Sequence, residues 1–390
     1  VLESPVGARY VGDMDRMFDT YRDLLPVVQA HLTARFPQQA GDSDFVYRQS
    51  VRAKALDALR GLLPAASLSN VGIYGSGQAY EMLLLRMRAH PLPEAGRYAE
   101  MMLEELRKVI PSFLQRVDTP SRGGAWSDYL ARTRQETEEA VGRLWPEGDG
   151  WEPGGAAVRL LDYDPDGEAK VLAAMAFPFT GLGEEELLRR ARALSSEGRQ
   201  ALFRAYVGER TNRRHRPGRA FERTDYRFEI VSDYGAFRDL QRHRMLTIEW
   251  QPLGTGLGYE VPELVADAGV ADQYEASMVR SAELHDAVDP LFPEQAAYAV
   301  ALGFRMRYVM QLNAREAMHL IELRSGQQGH PAYRAVAQQM HRSIAEVAGH
   351  RGIAEAMTFV DHDLYDLERI EAERRAEARR QAAEVRRAPV

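Results

Sequence analysis

A chain of 390 residues, 45% hydrophobic and 27% charged, is long enough for two or three domains with sizeable cores. Its net charge of −7 excludes the global basic field of a nonspecific nucleic-acid binder, so no DNA partner is expected, and the absence of cysteine excludes disulfides, thiolate metal sites and cysteine nucleophiles. No apolar run approaches ~20 residues, so no membrane span is expected. The chain opens Val1-Leu2-Glu3-Ser4-Pro5, with neither a leader-like pattern nor an initiating methionine. The expectation is a cytoplasmic protein that lacks upstream residues here.

In chain order, the first 145 residues read as nearly all helix. Met14, Met17, Leu24, Val28 and Leu32 recur at helical spacing, as do Leu83, Leu84 and Met87. Pro91 and Pro93 interrupt the pattern, and a new helix is predicted from about Glu94 to just before Pro111. A Pro/Gly-rich linker over 146–155 is the best domain boundary. Val158–Tyr163 then reads as a strand, followed by helices at about 168–175 and 184–208. A second strand is predicted at about 221–231, where Tyr226, Phe228 and Ile230 alternate with Arg227 and Glu229. A short helix, a third strand-like piece ending at Trp250 and a glycine-rich loop (Gly254–Gly258) come next. Helices are predicted to fill 270–359, and 361–390 reads as a charged helical tail.

The stretch that asks for an explanation is Arg238-Asp239-Leu240-Gln241-Arg242-His243-Arg244, directly after strand-like sequence. Four cationic or imidazole groups in seven residues fit a bound anion such as a phosphate or nucleotide, because arginine presents a planar, permanently charged fork. A solvated basic helix end is the plainer alternative. The turn at Ser232–Gly235 brings Glu222 and the 242–244 cluster towards a shared surface. Further on, Asn313-Ala314-Arg315-Glu316 opens a helix carrying Arg324. There Asn313 reads either as a helix cap or as a ligand-binding residue, and Arg315, Glu316, His319 and Glu322 as a surface ion-pair lattice.

Together these residues resemble the flavin-dependent thymidylate synthase family. In that family a strand ending in apolar-Glu-His precedes Arg-Gln-x-x-Arg-His-Arg, a loop closes on Arg-Tyr, and a distal helix reads Asn-x-Arg with a further Arg eleven residues after the Asn. The resemblance covers about 156–360. It implies an α+β fold built of two thymidylate-synthase-like units, the second with a small antiparallel sheet packed by helices. The helical residues 1–145 would be the incomplete first unit, with Ser76 and Arg97 answering to Asn313 and Arg334 at a separation of 237 positions. By resemblance, Glu222, Arg242, His243, Arg244, Asn313 and Arg315 hold FAD, while Arg238, Arg324, His330 and Tyr259 face a dUMP-like pyrimidine nucleotide. NADPH and methylenetetrahydrofolate are the implied co-substrates, and a homo-oligomer, with a dimer favoured, the implied assembly. No protein nucleophile and no metal are required.

Departures from the pattern accompany the matches. Arg223 stands where the family has His, Asp239 where it has Gln, and Gly258 where an Arg precedes the Tyr. Ala297 stands at a further substrate Arg position. The alternative is therefore a repurposed or non-catalytic homologue that has lost the dUMP loop. Arg213-Arg214-His215-Arg216 also spells Arg-His-Arg but precedes the strand, and it reads as a solvated loop or a phosphate- or RNA-binding one. Gly75-Ser76-Gly77 lacks the third glycine of a dinucleotide fingerprint. His319 with Glu322, and His362 between two aspartates, lack a third metal ligand.

Overall fold

The computed structural model describes residues 1–145 and 157–365, with Leu367 and Ile370. The expected linker at 146–155 and most of the charged tail lie outside the described residues. The first helices are α1 (Gly7–Arg35), α2 (Asp44–Leu59), α3 (Gly77–Arg88), α4 (Pro93–Arg107), α5 (Pro111–Leu114) and α6 (Ala125–Leu144). After the linker come β1 (Ala157–Tyr163), α7 (Gly167–Ala176), α8 (Glu184–Arg192), α9 (Ser196–Val207), β2 (Asp225–Asp233), α10 (Tyr234–Leu240) and β3 (Thr247–Trp250). The chain then runs through α11 (Glu263–Asp267), α12 (Ala271–Val288), α13 (Pro293–Ala296), β4 (Arg305–Asn313), α14 (Ala314–Arg324), α15 (Pro331–Glu346) and α16 (Arg351–Glu355).

The sheet order is β1-β2-β4-β3, all antiparallel. β4 corrects the expectation of helix throughout 270–359. Its Met306, Tyr308, Met310 and Leu312 are buried, while Arg305, Arg307 and Gln311 between them are not. That period of two is a strand pattern, and β4 pairs with β2 along its whole length, from Asp225 opposite Asn313 to Asp233 opposite Arg305. On β2 the alternating Tyr226, Phe228 and Ile230 are fully buried, and the core over this face includes Met318, Ile321 and Met340 of α14 and α15. The expected helix at 184–208 is two helices, because Ser195 caps a new start by accepting the Gly198 N–H at 3.2 Å.

Two compact units divide the described residues. One takes those within Ala66–Glu152 and Asp286–Ala296, with Val1, and has its own core of Leu84, Leu85, Ala99, Leu103, Leu114 and Val117. The other takes those within Leu2–Ala65, Pro153–His285 and Ala297–Val390. Helices α1 and α2 thus group with the sheet, not with α3–α6. The reason is a seam of backbone hydrogen bonds: Ala65 N–H donates to Val300 O (2.8 Å), Leu302 N–H to Leu63 O (2.8 Å) and Gly303 N–H to Gly61 O (2.9 Å). At this seam a Cβ on Gly61 would stand 2.2 Å from the Tyr274 hydroxyl and 3.3 Å from Gly303 Cα, so the close approach demands glycine. The start of α10 joins the same seam, with Gly235 N–H donating to Leu302 O at 3.0 Å. Arg60, one residue before Gly61, is thereby carried to α10.

Candidate functional site

Two strand-to-helix turns build the site. β2 ends at Asp233, whose carboxylate accepts the Ala236 N–H at 2.8 Å and starts α10. β4 ends at Asn313, whose side-chain oxygen accepts the Glu316 N–H at 2.9 Å and starts α14. Because β2 and β4 are antiparallel, α14 begins beside the segment that leads into β2. Its eleven residues then span about 16 Å, and Arg324 in its last turn reaches the end of α10.

At the first end, Arg315 Nε donates to Pro217 O (3.0 Å) and Nη1 to Glu222 Oε1 (3.3 Å). Glu222 is also held by Arg219 (2.9 Å), and that bond, with the charges of Arg219 and Arg315, draws its carboxyl below the ordinary range. Glu222 therefore orients Arg315.

In the middle lies buried His243. Arg324 Nε donates to His243 Nε2 at 3.1 Å, and His243 Nδ1 lies 3.1 Å from Glu316 Oε1. A guanidinium can only donate, so Nε2 accepts, the ring proton sits on Nδ1, and Nδ1–H donates to Glu316. His319 stacks edge-on against His243 with centroids 5.5 Å apart, and Arg216 Nη2 lies 3.3 Å from His319 Nδ1. Burial and then the Arg216 charge lower the His319 pKa, which keeps that ring neutral. The ligating atoms of His243, Glu316 and His319 lie within 4.8 Å of one another. The hydrogen-bond order nevertheless leaves His243 no free lone pair, and Arg216 and Arg324 repel a cation. The positive charge here suits an anion.

At the far end, Arg324 Nη2 donates to Asp239 O (2.6 Å), and its guanidinium lies over the Tyr333 ring, 5.5 Å from the centroid. Arg242 pairs with Asp239 and is otherwise exposed. Arg238 and Arg244 are exposed.

The structure thus brings together Arg242, His243, Asn313, Arg315, Glu222 and Arg324, linked through α14. Two expected substrate residues do other work. His330 caps α15, its Nδ1 accepting the Ala332 N–H (3.2 Å), and its Nε2 faces Asp57 O (3.2 Å). Tyr259 stands edge-on to Phe304, with centroids 5.4 Å apart. The sequence reading missed three groups. Arg210 and Glu322 form a buried bidentate pair at 2.6 and 2.7 Å, so neither Glu322 nor the start of the basic loop is a solvated surface feature. Arg216 of that loop enters the His319 cluster. Arg60 comes from outside the span of the resemblance, and its approach to Asp239, with Nη1 3.8 Å from Oδ2, has no local signal.

Burial, with Arg60 nearby, pulls the His330 pKa down to about 3. Between an ordinary ~6.5 and that value an unfolded chain takes up a proton that the folded one refuses. Stability contributed by neutral His330 is thus full above that window and falls as pH drops through it, by at most about 1.4 kcal/mol per pH unit. His330→Asn keeps a capping side chain and should flatten this part of the slope in urea midpoints measured from about pH 7 to about pH 4. Equal slopes for the two proteins would refute the assignment.

The family model described as thymidylate synthase complementing protein matches residues 159–349, which carry β2, α10, β4 and α14. The chain belongs to the flavin-dependent thymidylate synthase family. Among relatives of this family member, a UPF0159 protein of Chlamydia muridarum is 35% identical over 371 residues, covering 95% of this chain and 69% of that protein. One from Thermoplasma acidophilum is 31% identical over 396 residues, covering 95% and 77%. Among solved structures, a UMP/dUMP methylase of Streptomyces cacaoi bound with 5-Br dUMP is 18% identical, with TM-score 0.43 over 53% of this chain and 96% of that one. Thymidylate synthase X of Helicobacter pylori, solved with FAD and dUMP, is 17% identical, with TM-score 0.37 over 52% and 99%. No described helix is long and apolar enough to cross a membrane.

Proposed function

We propose that this chain is an FAD-dependent, thymidylate-synthase-like enzyme that transfers a one-carbon unit from methylenetetrahydrofolate to C5 of dUMP or a related pyrimidine nucleotide, with NADPH as reductant. The observation that carries the reading is the meeting of the first turn of α14 with His243, the middle residue of Arg242-His243-Arg244. Asn313 caps that turn, Glu316 holds His243, and Arg315 stands oriented by Glu222.

The residues fit an anionic dinucleotide. Arg244 and Arg242 offer exposed forks, Arg315 is half-exposed, and the two imidazoles are neutral, so the charge available to a diphosphate is guanidinium charge. Arg242, Arg244 and Arg315 would bind it. His243, fixed in one tautomer, would present a rigid polar edge, and Glu222 and Asn313 would hold the frame. When bound, the flavin supplies the hydride that turns the transferred methylene into a methyl group. The protein contributes position and charge.

Two further features belong to this reading. Ser76 and Asn313, 237 positions apart, both cap helices, accepting the Ala79 and Glu316 N–H groups. The helices that follow each pair, α4 and α15, both begin with proline. This parallel supports a tandem origin of the chain, and with two units per chain a homodimer is the expected assembly.

The test is direct. Purified protein should carry flavin absorbance or take up FAD at micromolar concentration, and should release tritium from C5-labelled dUMP when NADPH and methylenetetrahydrofolate are present. A colourless protein without FAD affinity would overturn the reading. The pairing of Asp239 with Arg242 and Arg324, two arginines that the resemblance assigns to ligands, favours a second reading, a homologue that binds flavin without turnover. Bound flavin with no tritium release from any pyrimidine nucleotide would select it.

A further inference from the structure

The two segments that meet at the backbone seam are internal counterparts. One-turn 3-10 helices cover Arg60–Leu62 and Ala297–Ala299, 237 positions apart. Pro64 and Ala301, again 237 positions apart, pair as an isolated antiparallel bridge. The bonds beside them are reciprocal: Ala65 N–H donates to Val300 O and Leu302 N–H to Leu63 O, both at 2.8 Å. Residues 65 and 302 are counterparts, as are 63 and 300, so each bond is the image of the other. A two-fold interface exchanges contacts in this way, residue i meeting j and j meeting i. The same 237 positions separate Ser76 from Asn313 at the starts of α3 and α14.

Across this local two-fold Arg60 answers to Ala297, the position where the resemblance expects a substrate arginine. The seam lays the Arg60 guanidinium against the start of α10, where a Cβ on Gly235 would stand 3.2 Å from Nη2. Three carboxylates lie around it. Asp233 Oδ1 is 3.9 Å from Nη2, Asp239 Oδ2 is 3.8 Å from Nη1, and Asp57, three residues earlier, adds its charge. The two distances are too long for hydrogen bonds, and Nη2 is buried without one. Burial lowers the Arg60 pKa despite Asp233 and Asp57, and Arg238 pushes the same way. A buried guanidinium with an unbonded donor is short of an anion. Arg238, Arg324 and the mostly exposed Arg242 keep the corner cationic beside the three aspartates.

We propose that Arg60 takes the place of the arginine lost at Ala297: delivered across the seam, it binds the phosphate of the pyrimidine nucleotide together with Arg324. The assignment rests on the site reading above for the nucleotide, while the two-fold exchange stands on the seam alone. Arg60 lies outside the span 159–349 that the family model matches, so that span by itself lacks this ligand. A planar fork suits a phosphate better than a point charge does.

Calorimetric titration with dUMP and with deoxyuridine, which differ by the phosphate, tests the assignment. Wild-type protein should bind dUMP more tightly than deoxyuridine. Arg60→Gln should weaken dUMP about 10- to 150-fold, the loss of one charge-assisted hydrogen bond, and leave deoxyuridine unchanged. Arg60→Lys, which keeps the charge without the fork, should fall between, and it carries the same comparison if Arg60→Gln does not fold. Ala297→Arg added to Arg60→Gln should not restore dUMP binding, because position 297 lies on the other side of the two-fold. Wild-type protein without a preference for dUMP, a folded Arg60 variant with wild-type dUMP affinity, equal losses for both ligands, or rescue by Ala297→Arg each overturns the proposal. Quenching of FAD fluorescence in the same samples reports the cofactor separately. Arg60-dependent dUMP binding in a protein that takes no flavin keeps the assignment and removes the flavin reading. Bound flavin with dUMP binding indifferent to Arg60 does the opposite.

Discussion

Replacing Arg210 with alanine will cost the protein about 3–5 kcal/mol of stability. Arg210 and Glu322 are almost wholly buried, with side-chain exposures of 2% and 1%. The guanidinium makes two parallel bonds to the carboxylate, donates to Ala356 O at 3.0 Å and His215 O at 2.7 Å, and lies over the Phe359 ring. Removing the arginine leaves Glu322 charged, buried and nearly unpartnered, its remaining contact being the Phe359 N–H at 3.3 Å. That desolvation cost, more than the lost attraction, sets the size of the effect. Urea unfolding should show a lower midpoint with an unchanged slope. Replacing both partners with apolar residues, Arg210→Met with Glu322→Leu, should recover most of the loss, because no uncompensated charge remains. A single-variant loss below about 1 kcal/mol would show that water reaches the pair and that the burial described here is wrong. The same substitution has a functional consequence: Arg210 anchors the loop that delivers Arg216 to His319, so flavin affinity should weaken as well.

That pair also marks where sequence reading stops. Local patterns carried β1, β2 and the helices around the linker, because side-chain alternation and helical spacing are properties of adjacent residues. β4 has the same alternation, Met306 to Leu312, but it sits in a stretch whose flanks read as helix, and its apolar positions are largely methionine and leucine, which favour neither state strongly. The two segments that meet through His243 and Glu316, Arg242–Arg244 and the helix opened by Asn313, were singled out through spacing to a known pattern. Arg210 and Glu322 were not, since 112 positions separate them and each looks like an ordinary surface charge in its own segment. Arg60 was still less visible. It reaches Asp239 because two glycines let the 61–65 and 300–303 backbones approach, and no local pattern announces a contact of that kind.

The cradle itself is tested at Arg244. Arg244→Ala should weaken FAD binding by about 10- to 150-fold, the loss of one charge-assisted hydrogen bond of about 1.5–3 kcal/mol to a cofactor phosphate. Stability should change by no more than about 0.5 kcal/mol, because the side chain is exposed and pairs with no described carboxylate. His243→Ala is the contrasting case. It removes a buried ring that Arg324 and Glu316 both bond, so affinity and stability should fall together. Quenching of FAD fluorescence on titration reports the first quantity and the urea midpoint the second. If Arg244→Ala lowers the midpoint heavily while flavin titrates as in the wild type, the arginine is structural and the cradle must lie elsewhere. If neither quantity moves, the diphosphate is held by Arg242 and Arg315 alone. The geometry argues against that last outcome: Arg242 is already drawn towards Asp239 and Arg315 towards Glu222. Arg244 is therefore the fork of the three that can engage a diphosphate without first giving up a carboxylate.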